Sequence, residues 1–157
     1  MSEKIRNVAL VGQGGVGKTM LAEAMLHLSG VTSRLGGHKG TKPTLDYDPE
    51  EEKRSFSIKL AMAPVSWGGA RLNVIDAPCY PDFIGDAYAA MSAVETAIFV
   101  VDAAQSAGHI PIDMEKDNID ILCLPGHKGL YGIQGCGAVC LAEGIMPGSL
   151  VEGGNGI

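Results

Sequence analysis

The chain has 157 residues, the size of one ordinary domain, and 46% of them are apolar, enough to supply a buried core. Eighteen acidic against 12 basic residues leave a formal charge of -6, so no bulk electrostatic footprint for DNA or an anionic membrane surface is expected. No apolar run approaches the length of a bilayer span, and MSEKIRNVAL lacks the basic segment and apolar core of a secretory signal, so the expected compartment is the cytoplasm.

Residues 5–11 form a short apolar run that predicts a strand, and residues 18–29 place Met20, Leu21, Ala24, Met25 and Leu28 at helical spacing. Residues 30–49, with Gly30, Gly36, Gly37 and Gly40, predict a long surface loop. Phe56, Ile58 and Leu60 alternate with Ser57 and Lys59, while Leu72, Val74 and Ile75 precede Asp76; these two runs predict a hairpin around Trp67-Gly68-Gly69. A helix over 82–94 follows Pro81, and the continuous apolar run 97–101 reads as a buried strand ending at Asp102.

Beyond that point residues 113–118 suggest one helical turn, 119–124 a buried strand, 126–135 a loop and 137–141 another strand. Nine glycines between Gly126 and Gly154 make this third loop-rich, and the terminal PGSLVEGGNGI is expected to fray. Cys79, Cys123, Cys136 and Cys140 lack paired CxxC spacing, which favours reduced thiols over zinc or disulfides. His27, His38 and His109 have no partner pattern and read as surface or structural residues.

The segment GQGGVGKT at 12–19 has the spacing of a phosphate-binding loop, placed between an apolar strand and an amphipathic helix as that chemistry requires. Gly14, Gly15, Val16 and Gly17 let backbone N–H groups converge on phosphate oxygens, Lys18 reaches the terminal phosphates, and Thr19 can ligate magnesium. The following helix adds its positive N-terminal end. Asp76, at the end of a predicted strand, is the candidate carboxylate for the metal shell, and Ser57 a candidate hydroxyl ligand or else an outward-facing strand residue.

Three stretches, GQGGVGKTMLAEAML, LDYDPEEEKRSFSI and LNVIDAPCYPDFIGDAYAAMSAVETAIFVVDA, resemble the G domain of translational GTPases, closest to elongation factor G, over about residues 4–104. The resemblance implies GTP or GDP as ligand with Mg2+. It assigns Lys18 and Thr19 to the phosphate loop, residues 50–58 to the first switch with Ser57 at the magnesium-binding threonine position, and Asp76 to the second switch. The family's D-x-P-G reads Asp76-Ala77-Pro78-Cys79, and Tyr80 stands where many relatives place the histidine that orients the attacking water. A phenol hydrogen-bonds but cannot become an imidazolium, so weak or no hydrolysis is expected, with Lys18 and Tyr80 the catalytic candidates. The guanine-reading N-K-x-D is absent. For a complete factor the resemblance implies ribosome contact.

From about residue 100, VDAAQSAGHIPIDMEKDNIDILCLPGHKGLYGIQGCGAV resembles the pyridoxal-phosphate domain of class V aminotransferases, closest to cysteine desulfurases. That resemblance implies Asp102 at the pyridinium nitrogen, Gln105 at the phenolic oxygen, His127 at the cofactor phosphate and Lys128 as Schiff base. The stacking histidine, phosphate turn and catalytic cysteine segment are missing, so desulfurase activity is not expected.

The expected fold class is α/β: a P-loop NTPase-like three-layer core with a mixed sheet, then a partial pyridoxal-phosphate-transferase-like α/β segment. Its expected divisions are 1–104, a partial G domain, and 105–157, a desulfurase-like segment packed on or continuing the same sheet. Three functional expectations follow: GTP binding with little hydrolysis, a pyridoxal-phosphate-binding fragment, or a truncated chimera whose exposed strand edges drive self-association.

Overall fold

A computed structural model of the chain describes residues 4–37, 40–78 and 80–145; the expectations for His38, Cys79 and the terminal 147–157 lie outside the described residues. The chain divides into two compact units, Met1–Val101 and Asp102–Ile157.

In the first unit, β1 (Lys4–Val11) leads into α1 (Lys18–Leu28), as its apolar run and helical spacing dictate. A long loop then reaches α2 (Pro49–Arg54), whose start is written in the sequence: Asp48 caps it, Pro49 takes the first helical position and Glu51 closes a capping box. Strands β2 (Ala61–Trp67) and β3 (Ala70–Asp76) form an antiparallel hairpin, with Trp67 paired to Ala70. Only Gly68 and Gly69 lie between them, at φ 56 and 76, the left-handed conformation that a tight two-residue hairpin turn demands. A 3-10 turn (Pro81–Phe83) and α3 (Ile84–Ser92) lead to β4 (Thr96–Phe99).

The sheet runs in the order β2-β3-β1-β4, antiparallel between β2 and β3 and parallel elsewhere. Successive residues of the central strands feed opposite faces. Leu10 and Val74 pack with Ala22 and Leu26 of α1, Leu45, and Ala61, Ala63 and Val65 of β2. Ala9 and Val11 pack with Ala77 and with Ala87 and Ala90 of α3. The result is the expected three layers with a mixed sheet, built around strands buried on both sides.

Two expectations for this unit need correction. Residues 56–60 are not the first hairpin strand, because the backbone N–H groups of Ile58 and Lys59 donate to the Glu51 carboxylate and are withdrawn from any ladder. The strand therefore begins at Ala61. The run 97–101 is not a buried strand: β4 pairs only with β1 at the sheet edge, all four of its residues are exposed, and Phe99 reaches 72%.

In the second unit, β5 (Ile121–Pro125) and β6 (Gly137–Leu141) pair antiparallel in a two-stranded sheet of their own, not as further strands of the four-stranded sheet. The strand foreseen over 119–124 is thus shifted and largely open to solvent, since a two-stranded ribbon provides no second layer to cover it. Residues 113–118 form turns and no regular helix. Cys123, Cys136 and Cys140 are free thiols.

Candidate functional site

The loop after β1 and the N-terminus of α1 open onto a cavity of about 540 Å³, a volume within the range of small-molecule sites. Gly14, Gly15, Gly17, Lys18 and Thr19 line it, and Asp46, Phe56, Ser57, Pro78 and Tyr80 close it from the long loop and from the end of β3. Val16, half-buried, completes the loop.

Lys18 is only 7% exposed, and its Nζ donates to the carbonyls of Gly12 at 3.0 Å and Gln13 at 2.9 Å. The ammonium is therefore folded back onto its own loop, where phosphate oxygens can compete for its three donors. α1 begins at Lys18 with no side-chain cap, leaving its first backbone N–H groups to an anion.

Beside it runs a chain of four side chains from four parts of the sequence. Thr19 Oγ1 donates to Asp76 Oδ2 at 2.6 Å, Ser57 Oγ donates to Asp46 Oδ1 at 2.8 Å, and the two hydroxyl oxygens lie 3.0 Å apart. Each hydroxyl has a single hydrogen. With both given to carboxylates, the oxygens of Thr19 and Ser57 face each other with lone pairs, and Asp76 Oδ1, fully buried, has no hydrogen-bond partner among the described residues. Convergent hard oxygens with an unmet buried charge suit a magnesium ion that keeps waters and phosphate oxygens as its remaining ligands.

Electrostatics agree with that donor set. Burial pushes the Asp76 carboxyl up to about 6, against the opposing pull of the Thr19 hydrogen bond and the Lys18 charge. Asp46 is likewise raised, first by burial, with the Ser57 hydrogen bond acting against it. A cation at this place would relieve both carboxylates. No cluster of three or more His, Cys, Asp or Glu side chains able to hold a metal occurs among the described residues.

Tyr80 sits at the rim. Its ring lies 4.6 Å from that of Phe56, centroid to centroid, and so close to Gly14 that a Cβ there would meet the ring at 2.6 Å. A methyl group at position 14 would therefore press on the Tyr80 ring, which would have to move aside.

Three buried carboxylates complete the surroundings without having stood out in the sequence. Asp46 holds Ser57. Glu23 of α1, fully buried, accepts the backbone N–H of Leu45 at 2.8 Å and so pins the long loop. Glu51 accepts the N–H groups of Asp48, Ile58 and Lys59. The D-P-E-E capping signature at 48–51 is a visible sign of Glu51; nothing local marks Glu23 or Asp46.

The residues assigned to pyridoxal phosphate fare differently. Gly129 N donates to Ala104 O at 3.2 Å, so the loop around 126–132 does meet the turn at 103–107. Yet Asp102, Gln105, His127 and Lys128 are all exposed, and the Asp102 carboxylate is occupied by the N–H of Ala104 at 3.0 Å. None of the four lines the 540 Å³ cavity. An aldimine-forming site needs an enclosed pocket, whereas Lys128 is exposed to solvent.

The phosphate loop, the hydroxyl–carboxylate chain and the three-layer sheet together define a P-loop nucleotide-binding domain of the mixed-sheet type. The family of elongation factor Tu GTP binding domains matches residues 3–119, and the chain belongs to that family. It is similar to an elongation factor G-like protein of Mycobacterium tuberculosis, 39% identical over 99 residues, covering 63% of this chain and 14% of the relative. Peptide chain release factor 3 of Lactobacillus acidophilus is 34% identical over 107 residues, covering 66% of this chain and 20% of the factor. Among solved structures, a Thermus thermophilus protein superposes with a TM-score of 0.60 at 38% identity, covering 67% of this chain and 16% of that one. The chain thus spans about one-seventh to one-fifth of the relatives' length. The family match passes residue 104 and runs to 119, and none of these matches supports a desulfurase assignment for 105–157.

Proposed function

We propose that this chain binds a guanine nucleoside triphosphate together with Mg2+, and that it hydrolyses the nucleotide slowly. The carrying observation is that Lys18, Thr19, Asp46 and Ser57 line one cavity and that Asp76, just behind it, accepts the Thr19 hydroxyl. In this reading the loop 14–19 and the N-terminus of α1 bind the β- and γ-phosphates, and Lys18 leaves the Gly12 and Gln13 carbonyls to reach them. Thr19, Ser57 and Asp76 hold the cation, whose charge, when bound, neutralises that of the phosphates. Tyr80 and Phe56 shield the cavity mouth. A phenol at Tyr80 has no basic nitrogen to orient and activate a water, hence the slow hydrolysis.

Guanine as the base rests on family membership, since the cavity residues named here are those of the phosphate end. Ribosome contact belongs, in this reading, to a longer translational factor, and the compartment proposed is the cytoplasm. Isothermal titration with GTP, GDP and ATP, each with and without Mg2+, tests the reading. Magnesium-dependent binding of GTP over ATP is the expected result; a folded protein that takes up none of the three overturns it.

A further inference from the structure

Three glutamates follow one another on α2, and only the middle one turns inward. Glu50 pairs on the surface with Lys53 and Arg54, and Glu52 with Lys42. Glu51 is 1% exposed. Its Oε2 accepts the Asp48 N–H at 2.9 Å, which is all that capping the helix requires. Its Oε1 does something beyond capping: it accepts the N–H groups of Ile58 at 2.8 Å and Lys59 at 2.9 Å.

Those two amides immediately follow Ser57, whose hydroxyl lies between Asp46 and Thr19. On the other side of Ser57 the helix ends at Ser55 in a left-handed turn, φ 56, and Phe56 is packed on Tyr80. Residues 55–59 therefore form an arch with Ser57 near its crown, held at its far end by one carboxylate oxygen. A buried carboxylate that accepts three backbone N–H groups is costly to remove, because each donor is then left without a partner.

We propose that Glu51 is the positioning residue that fixes Ser57 for divalent-cation binding, so that α2 and the metal site are mechanically one piece. The inference rests on the magnesium-nucleotide reading above. Outer-shell groups of this kind commonly change metal affinity by about 10- to 100-fold when removed.

The test uses the full chain as wild type, Glu51→Gln, Glu51→Ala and Glu50→Gln. Two measurements are made: GTP affinity with and without Mg2+, and hydrogen exchange of the Ile58 and Lys59 amides without nucleotide. Glu51→Ala is expected to reduce the magnesium-dependent gain in affinity about tenfold, to leave magnesium-free affinity within about twofold, and to expose both amides to exchange. Glu51→Gln retains one accepting oxygen but turns an N–H toward a donor, and is expected to lose about threefold; should Glu51→Ala not fold, this variant decides. Glu50→Gln is expected to match wild type. A full wild-type gain in the folded Glu51 variants, or equal loss with and without Mg2+, overturns the inference alone and leaves Glu51 a structural cap. A wild type that shows no magnesium-dependent binding sinks the nucleotide reading and this inference with it.

Discussion

The two units of the chain place their chemically suggestive side chains in opposite surroundings. Among the described residues of Met1–Val101, the charged side chains of Lys18, Glu23, Asp46, Glu51 and Asp76 are buried. Among the described residues of Asp102–Ile157, Ala107 is the buried apolar residue, and Asp102, Gln105, His127 and Lys128 stand in solvent. A charge acquires unusual chemistry when a core removes it from water and a second group answers it. The first unit has that core on both sides of its sheet; the described part of the second has a two-stranded ribbon.

Truncating a side chain in each unit should produce the largest difference between them. Leu10→Ala, at a fully buried central position, is expected to cost about 3–5 kcal/mol in urea unfolding. Leu122→Ala on half-covered β5 should cost less than half as much. Equal losses would mean that the second unit has a core of its own standing.

Next in size is the paired removal of the two lysines. Lys18→Ala should weaken GTP binding on the order of a hundredfold by titration calorimetry, the scale expected when a shielded site gives up a charge-assisted hydrogen bond. Lys128→Ala should leave that affinity unchanged. An effect of Lys128 on nucleotide binding, or an aldimine absorbance that vanishes with it, would erase the contrast between the units.

A pH experiment sharpens the meaning of burial. The folded pKa of Asp76, about 6, lies above its ordinary value of 3.8, so the folded state binds the proton more tightly. The stability gained from that proton is complete below the ordinary value and is lost as pH rises through about 6. Metal-free wild type should lose roughly 2 kcal/mol relative to Asp76→Asn between pH 4 and 7.5, measured by thermal unfolding. Asp46 contributes in the same direction. Mg2+ with GTP should reverse the loss. A wild type that gains stability over this range relative to Asp76→Asn would show that the carboxylate is not desolvated.

The smallest effect expected is at the rim. Gly14→Ala places a methyl group against the Tyr80 ring, which is itself partly exposed and can swing aside, so GTP affinity should fall only about threefold. A loss as large as that of Lys18→Ala would make the aromatic rim part of the site's rigid frame.

Local signals in the sequence are good guides wherever one element decides its own structure. The apolar run of β1, the helical spacing of α1, the Gly68-Gly69 turn and the phosphate loop itself are all legible, since each depends on neighbours a few residues away. The first hairpin strand starts later than its pattern suggests because alternation in 56–60 imitates a strand while Glu51 takes the backbone donors a strand would need. Hydrophobicity alone predicts burial for the strands at 97–101 and 119–124, yet burial depends on what layers lie above and below. Resemblance named a chemistry for Asp102, Gln105, His127 and Lys128, all of which are exposed and none of which lines the nucleotide-site cavity.

Spacing along the chain sets the loop that can cradle phosphate and supplies the residue types a magnesium site needs. Packing brings the Thr19–Asp76 and Ser57–Asp46 hydrogen bonds face to face, turns Glu51 inward while Glu50 and Glu52 stay exposed, and buries Lys18 while Lys128 stands in solvent. These depend on groups up to 57 positions apart being packed against the same faces of a sheet, where loss of water makes each charge require a partner.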